Sequence, residues 1–226
     1  MTGLFTLGWR FVILFLLVGL VGLGGCSTIY DAALGKLGFE KRELLVSRVK
    51  GARKAQVKAK EQFSSALDEF LAVTNYQGGE EGRNLEKMYR RVDAEYETSV
   101  KRADAVRDRN NSVERTGRAL FKEWNREIGE YSDVSMASIS REQYRVAERR
   151  FEELLASMRE AESRLDPVLT KFRDQVLFLK HNLNARAISA LEGQVLGVQG
   201  DVARLIQDLE RSIAEQDKFI REMQGM

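Results

Sequence analysis

Two side chains in this sequence have no duplicate: Cys26 is the only thiol and His181 the only imidazole. A lone imidazole narrows the chemistry at once. Phe178 stands three positions before it, so the Glu-x-x-His pairs that hold iron in helical bundles are missing, and a three-His zinc site cannot be assembled. His181 therefore reads as a polar residue near a helix end. Neither the G-x-S-x-G elbow of nucleophilic hydrolases nor the G-x-x-x-x-G-K-[ST] phosphate loop occurs. Glu152 and Glu153, like Glu80 and Glu81, are adjacent and cannot face each other on a helix, so they read as solvated carboxylates rather than an acid–base pair. No enzymatic activity, metal or cofactor is expected.

Cys26 stands at the end of an apolar run, and its surroundings give the thiol a different task. Arg10 and the amino terminus make a thin positive region, and residues 11–23 are apolar but too short for a comfortable span of about 20 residues. Residues 1–25 thus read as a cleaved targeting segment. Leu23-Gly24-Gly25-Cys26 supplies an apolar residue, two small ones and then cysteine, and resembles the lipobox of bacterial lipoproteins. Small residues let the peptide enter a peptidase groove extended, and the thiol takes the diacylglyceryl group. Two or three chains then hold a protein on a membrane where one does so marginally, each buried methylene contributing about 0.8 kcal/mol. Ser27, rather than Asp, follows the cysteine, and by the same resemblance this implies the outer membrane, facing the periplasm. With Cys26 in a thioether the mature chain has no thiol for disulfides or redox work.

What holds these residues in place must be helical. Charged residues make up 31% of the chain, proline occurs once, and Lys and Arg number 36 against 34 Asp and Glu. Such a near-neutral balance argues against nucleic acid as partner. After a tether over 26–38, apolar residues step by four and three: Leu45, Val49, Ala52, Gln56, Ala59, Phe63, Ala66, Phe70, Val73. Three glycines around Gly78 end that helix. A second seam runs from Leu85 through Val92, Ser99, Val106, Asn110, Gly117 and Trp124 to Tyr131, and a Ser-rich loop over 132–140 follows. Ser140 with Gln143 has the form of a capping box for a third helix, which Pro167 should kink. A turn at 182–184 leads to a fourth seam of Ile188, Leu191, Val195, Val198, Val202, Leu205, Leu209 and Ile213. The spacing predicts helices over 39–75, 84–131, 141–181 and 186–224, in an elongated all-α, up-down-up-down, antiparallel four-helix bundle about 60 Å long. An anchor at Cys26 would place the 132–140 loop near the membrane and the 78 and 182 turns at the far tip. Gln56 and Asn110 interrupt their seams as register-setting residues do, and Trp124 and Tyr131 count as core.

Two surface patterns stand out. No acid lies between Glu43 and Glu61, while Lys50, Lys54 and Lys58 repeat at i, i+4 among Arg48, Arg53 and Lys60. Like charges at that spacing repel, so something must neutralise them: either Asp208, Glu210, Glu215 and Asp217 of helix four, or anionic lipid and cell-wall polymer. On the fourth helix Ser189, Gly193, Gly197, Gly200 and Ala203 form a small-residue stripe opposite the seam, next to Phe178 and His181. That stripe is a candidate face for self-association or an envelope protein partner.

The stretches FEKRELLVSRVKGARKAQVKAKEQF (39–63) and KFRDQVLFLKHNLNARAISAL (171–191) resemble a family of proteobacterial lipoproteins known only as domain of unknown function 2959. The resemblance covers nearly all of the chain after Cys26. It implies a helical, lipid-anchored envelope protein and supplies no catalytic residue. The function expected is a non-enzymatic scaffold or interaction module; the alternative is an envelope-binding module that works through its basic face.

Overall fold

The structure, a computed structural model, describes residues 26–74, 83–182 and 185–225. These residues form six helices and no strand: α1 (Cys26–Thr74), α2 (Arg83–Ile128), α3 (Val134–Ser163), α4 (Leu165–His181), α5 (Ala185–Glu192) and α6 (Val195–Gly225). The fold is the all-α helical bundle that the seams require.

The chain divides into two units, Met1–Lys41 and Arg42–Met226. In the first, the backbone from Cys26 onward is helical where the sequence reading places a tether; Gly35 and Gly38 weaken a helix there, but no proline stops it. The expected targeting segment over 1–25 and the expected turn around Gly78 lie outside the described residues.

In the second unit, cross-helix pairs fix the pairing directions. Arg53 meets Asp217 at 2.6 Å and Lys60 meets Glu210 at 3.1 Å, so moving forward along α1 means moving back along α6. Gln62 with Glu95 and Arg91 with Glu69 set α1 against α2 in the same way. Arg118 with Glu152 and Arg159 with Glu114 pair α2 with α3, and Arg150 with Glu222 and Arg211 with Glu160 pair α3 with α6. Each of the four layers thus runs opposite to both of its neighbours.

The last two layers are broken helices. Pro167 has no N–H and crowds the carbonyl four residues back, and that residue, Ser163, is the last of α3. Arg164 forms the junction, its N–H reaching Ala161 O at 3.3 Å, and Pro167 falls in the first turn of α4, where a missing donor costs nothing. In place of a single fourth helix there are two, α5 and α6, parted at Gly193 and Gln194.

The start of the third layer corrects the expected capping box. Helix α3 begins at Val134, not 141, because the Asp133 carboxylate accepts from the N–H groups of Ser135 (2.7 Å) and Met136 (3.1 Å). Ser140 is buried inside the helix and accepts the Trp124 indole N–H at 3.0 Å. Tyr131, expected in the core, lies past the end of α2 and is 47% exposed, beside exposed Val134, Met136 and Ile139.

Packing follows the seams. Leu45, Val46, Val49 and Ala52 meet Val113, Phe121, Phe151, Met158, Phe219 and Met223 in one apolar cluster, where Phe121 contacts Trp124, Tyr144 and Phe151. Phe63, Phe70, Val106, Leu165, Phe172, Val202 and Leu205 belong to the other, with Phe63 stacked on Phe172. A fully buried side chain of this size stabilises by roughly 1.5–3 kcal/mol. Between the clusters lie buried polar residues: Gln56 on α1, Asn110 on α2, Ser212 and Gln216 on α6.

Candidate functional site

The basic run on α1 divides between two sides of the helix. Arg53 and Lys60 face α6, where Asp217 and Glu210 neutralise them. The other two expected acids are engaged elsewhere: Asp208 is held by Arg164 and Arg211, and Glu215 lies near Lys218. Positions 48, 51, 54, 55 and 58 face α2 instead. There Ser47, Arg48, Gly51, Lys54, Ala55 and Lys58 line a surface groove of about 470 Å³ together with Arg102, Ala105 and Arg109.

Helix geometry explains how the groove is built. Arg102, Ala105 and Arg109 are spaced by three and four, so they share one face of α2 and place two guanidinium groups on either side of a methyl. On α1 the facing positions are Gly51 and Ala55. A Cβ on Gly51 would lie 3.9 Å from Arg109 Cδ, so the Arg109 stem passes over a bare stretch of backbone. Small residues make the floor and five cations make the walls.

The electrostatics are one-sided. No carboxylate lines the groove, and among the described residues none of Arg48, Lys54, Lys58, Arg102 and Arg109 is ion-paired. Asp104, one turn away, is committed to Arg107 at 2.6 Å. Two other surface grooves of similar size, about 460 and 500 Å³, carry both signs: Lys60 with Glu61, Asp68 and Glu210 in one, Arg145 and Arg149 with Glu148 and Glu152 in the other. Of the three lysines singled out by the sequence, Lys54 and Lys58 enter the groove, whereas Lys50 is exposed on α1 outside it. Arg102 and Arg109 are absent from the sequence reading, because α2 mixes both charges and no run marks them.

The small-residue stripe is laid out differently from its expected form. Ser189 is exposed on α5, Gly193 sits in the junction, and only Gly197, Gly200 and Ala203 share α6, so no continuous helix face carries all five. Gly193 and Gly197 are poor helix residues within one turn of each other, which favours the break. No neighbouring backbone presses on the glycines of α6: a Cβ would meet Lys171 Nζ at 4.0 Å from Gly197 and Arg204 at 3.7 Å from Gly200. Lys171 and Arg204 both hold Asp201, and the Lys171 ammonium foremost keeps its carboxyl below the usual range against the opposing effect of burial. Phe178 and His181 are exposed near the end of α4. Cys26 is the first residue of α1, its backbone helical.

Among the described residues no group of three or more His, Cys, Asp or Glu is placed to hold a metal ion, and no helix is long and apolar enough to cross a membrane. A protein family described as "Protein of unknown function (DUF2959)" matches residues 30–223. No curated protein and no solved structure matches the chain.

Proposed function

The chain belongs to this family of unknown function, and from that premise we propose that it is a lipid-anchored, non-enzymatic helical module of the Gram-negative envelope, held in the outer membrane through Cys26 and facing the periplasm. The observation that carries the reading is the order of features at the start of the chain: an apolar run over 11–23, then Leu23-Gly24-Gly25-Cys26, then a charged bundle. Scaffolding or holding an envelope partner is the work such a module performs. Growth with an alkyne-tagged fatty acid tests the anchor. The wild-type chain should take up the label and fractionate with outer membranes, and Cys26→Ser should do neither; an unlabelled wild-type chain would refute the anchor.

A second reading, an envelope-binding module that works through its basic face, is favoured by the groove between α1 and α2. Five cations with no lining carboxylate are what a bound anion would require, whereas scaffolding alone asks for nothing of the kind.

A further inference from the structure

The geometry points to a ligand class for this groove: we propose that Arg48, Lys54, Lys58, Arg102 and Arg109 bind an anion bearing more than one phosphate group, a step that rests on the second reading above. Three features select phosphate. First, the charge is spread out. Arg48 to Lys58 covers about 15 Å of α1 and Arg102 to Arg109 about 10 Å of α2, at 1.5 Å per residue, so the walls match several negative groups in series better than one. Second, two of the five are arginines on a single face of α2, and planar guanidinium forks bind phosphate oxygens in pairs where ammonium groups act as point charges. Third, the floor is Gly51, Ala55 and Ala105. No aromatic ring lines it for a base to stack on, and no apolar pocket opens to receive the side chains of an acidic peptide.

The same phosphate chemistry occurs in a lipid headgroup and in a water-soluble polyphosphate, so the test has two arms. The full-length chain, purified in a nonionic detergent, is titrated calorimetrically with inorganic tripolyphosphate and, separately, with detergent micelles doped with cardiolipin, whose headgroup carries two phosphates. Binding in either arm should weaken at least tenfold in Arg102→Gln/Arg109→Gln and in Lys54→Gln/Lys58→Gln, and should fall as salt screens the site. Arg141→Gln/Arg149→Gln, which alters exposed cations on α3, should leave binding unchanged. Groove-dependent binding of tripolyphosphate identifies a soluble ligand; groove-dependent binding of the micelles alone identifies a lipid headgroup. The proposal is overturned if neither probe binds, if the groove variants bind as the wild type does, or if a poly-glutamate peptide binds the groove more tightly than both probes. Because the titration reads the groove directly, its outcome is independent of whether Cys26 carries lipid, and failure of the anchor is told apart from failure of the groove.

Discussion

Gly117 and Phe151 occupy each other's space: a Cβ on Gly117 would overlap Cζ and Cε2 of the Phe151 ring and lie 2.8 Å from Cε1. Phe151 is 1% exposed and tilts against both Phe121 and Phe219, so its ring has nowhere to retreat. Gly117→Ala therefore overpacks the core at the crossing of α2 and α3, at a cost of roughly 1–3 kcal/mol. In a domain of this size each kcal/mol lowers the thermal midpoint by about 2–4 °C. Gly200→Ala meets only the end of the Arg204 side chain and should match or exceed the wild-type midpoint, since alanine is the better helix residue. A calorimetric scan of the two variants checks both. Equal midpoints would mean that the Phe151 ring yields.

The true start of α3 gives a second, sharper comparison. Asp133 caps the helix and Ser140 serves as the acceptor for Trp124, so the two have different jobs. Asp133→Ala should cost about 1 kcal/mol, as lost N-caps do. Ser140→Ala should cost about as much, through the stranded indole N–H, and should also shift Trp124 fluorescence. Gln143→Ala, on an exposed side chain, should cost close to nothing. Were Ser140 and Gln143 a capping box, the last two substitutions would cost alike with no change in emission.

How far these features can be read from the sequence depends on what marks them there. On α1 every expected seam position from Leu45 to Val73 is buried, because apolar residues at four-three spacing carry the signal directly. On α6 the buried line passes from Leu209 to Ser212 and Gln216, polar residues that periodicity skips, so the sequence reading follows half-buried Ile213 instead. The groove is half legible for a related reason. Lys54 and Lys58 stand out in an acid-free run, but Arg102 and Arg109 lie among Asp104 and Asp108, and only the pairing of α1 with α2 brings their face to the lysines.

Acid should unfold the bundle partly through Glu114 and Asp201. Hydrogen bonds from Arg159, then Arg118, lower the Glu114 pKa, and Lys171 foremost lowers that of Asp201. Both folded values lie below the unfolded ones, so the stability they contribute is present above the ordinary carboxylate range and is lost as pH falls through the lowered values. In Glu114→Gln/Asp201→Asn the slope of stability against pH below about pH 4.5 should flatten. Urea midpoints measured from pH 6 down to pH 2 would show it; an unchanged slope would contradict the assignment.

Alkaline titration isolates Tyr144. Burial first, and then its 2.5 Å hydrogen bond to the Glu148 carboxylate, push the phenol up to about 12. Both causes favour the neutral form, so the folded pKa is raised. The associated stability is complete below about pH 10 and disappears as pH rises from there towards 12. The difference in 295 nm absorbance between wild type and Tyr144→Phe should therefore titrate near 12. A difference titrating near 10 would place the phenol in water.

Gln56 makes the opposite kind of prediction, a gain. It is 0% exposed, and neither its amide nitrogen nor its oxygen has a hydrogen-bond partner among the described residues. Arg53 with Asp217 and Lys60 with Glu210 bracket its level on the bundle, where α6 contributes Ser212 and Gln216. Within that layer Gln216 Nε2 donates to Ser212 Oγ at 3.3 Å while its own Oε1 is unpartnered, so α6 satisfies only part of itself and nothing of Gln56. Burying an amide without partners costs about 1–3 kcal/mol, and an apolar side chain of similar size avoids it. Gln56→Leu should then raise the thermal midpoint. Asn110→Leu should gain less: its Oδ1 is also unpartnered, but its Nδ2 donates to Glu162 at 2.8 Å and to Met158 O at 3.3 Å, bonds that the substitution gives up. If Gln56→Leu also broadens the transition or adds a second oligomeric species in analytical ultracentrifugation, the polar layer earns its place by fixing register, as buried polar seam residues do in coiled coils. A lowered midpoint with a sharp transition would show instead that the amide is satisfied in solution.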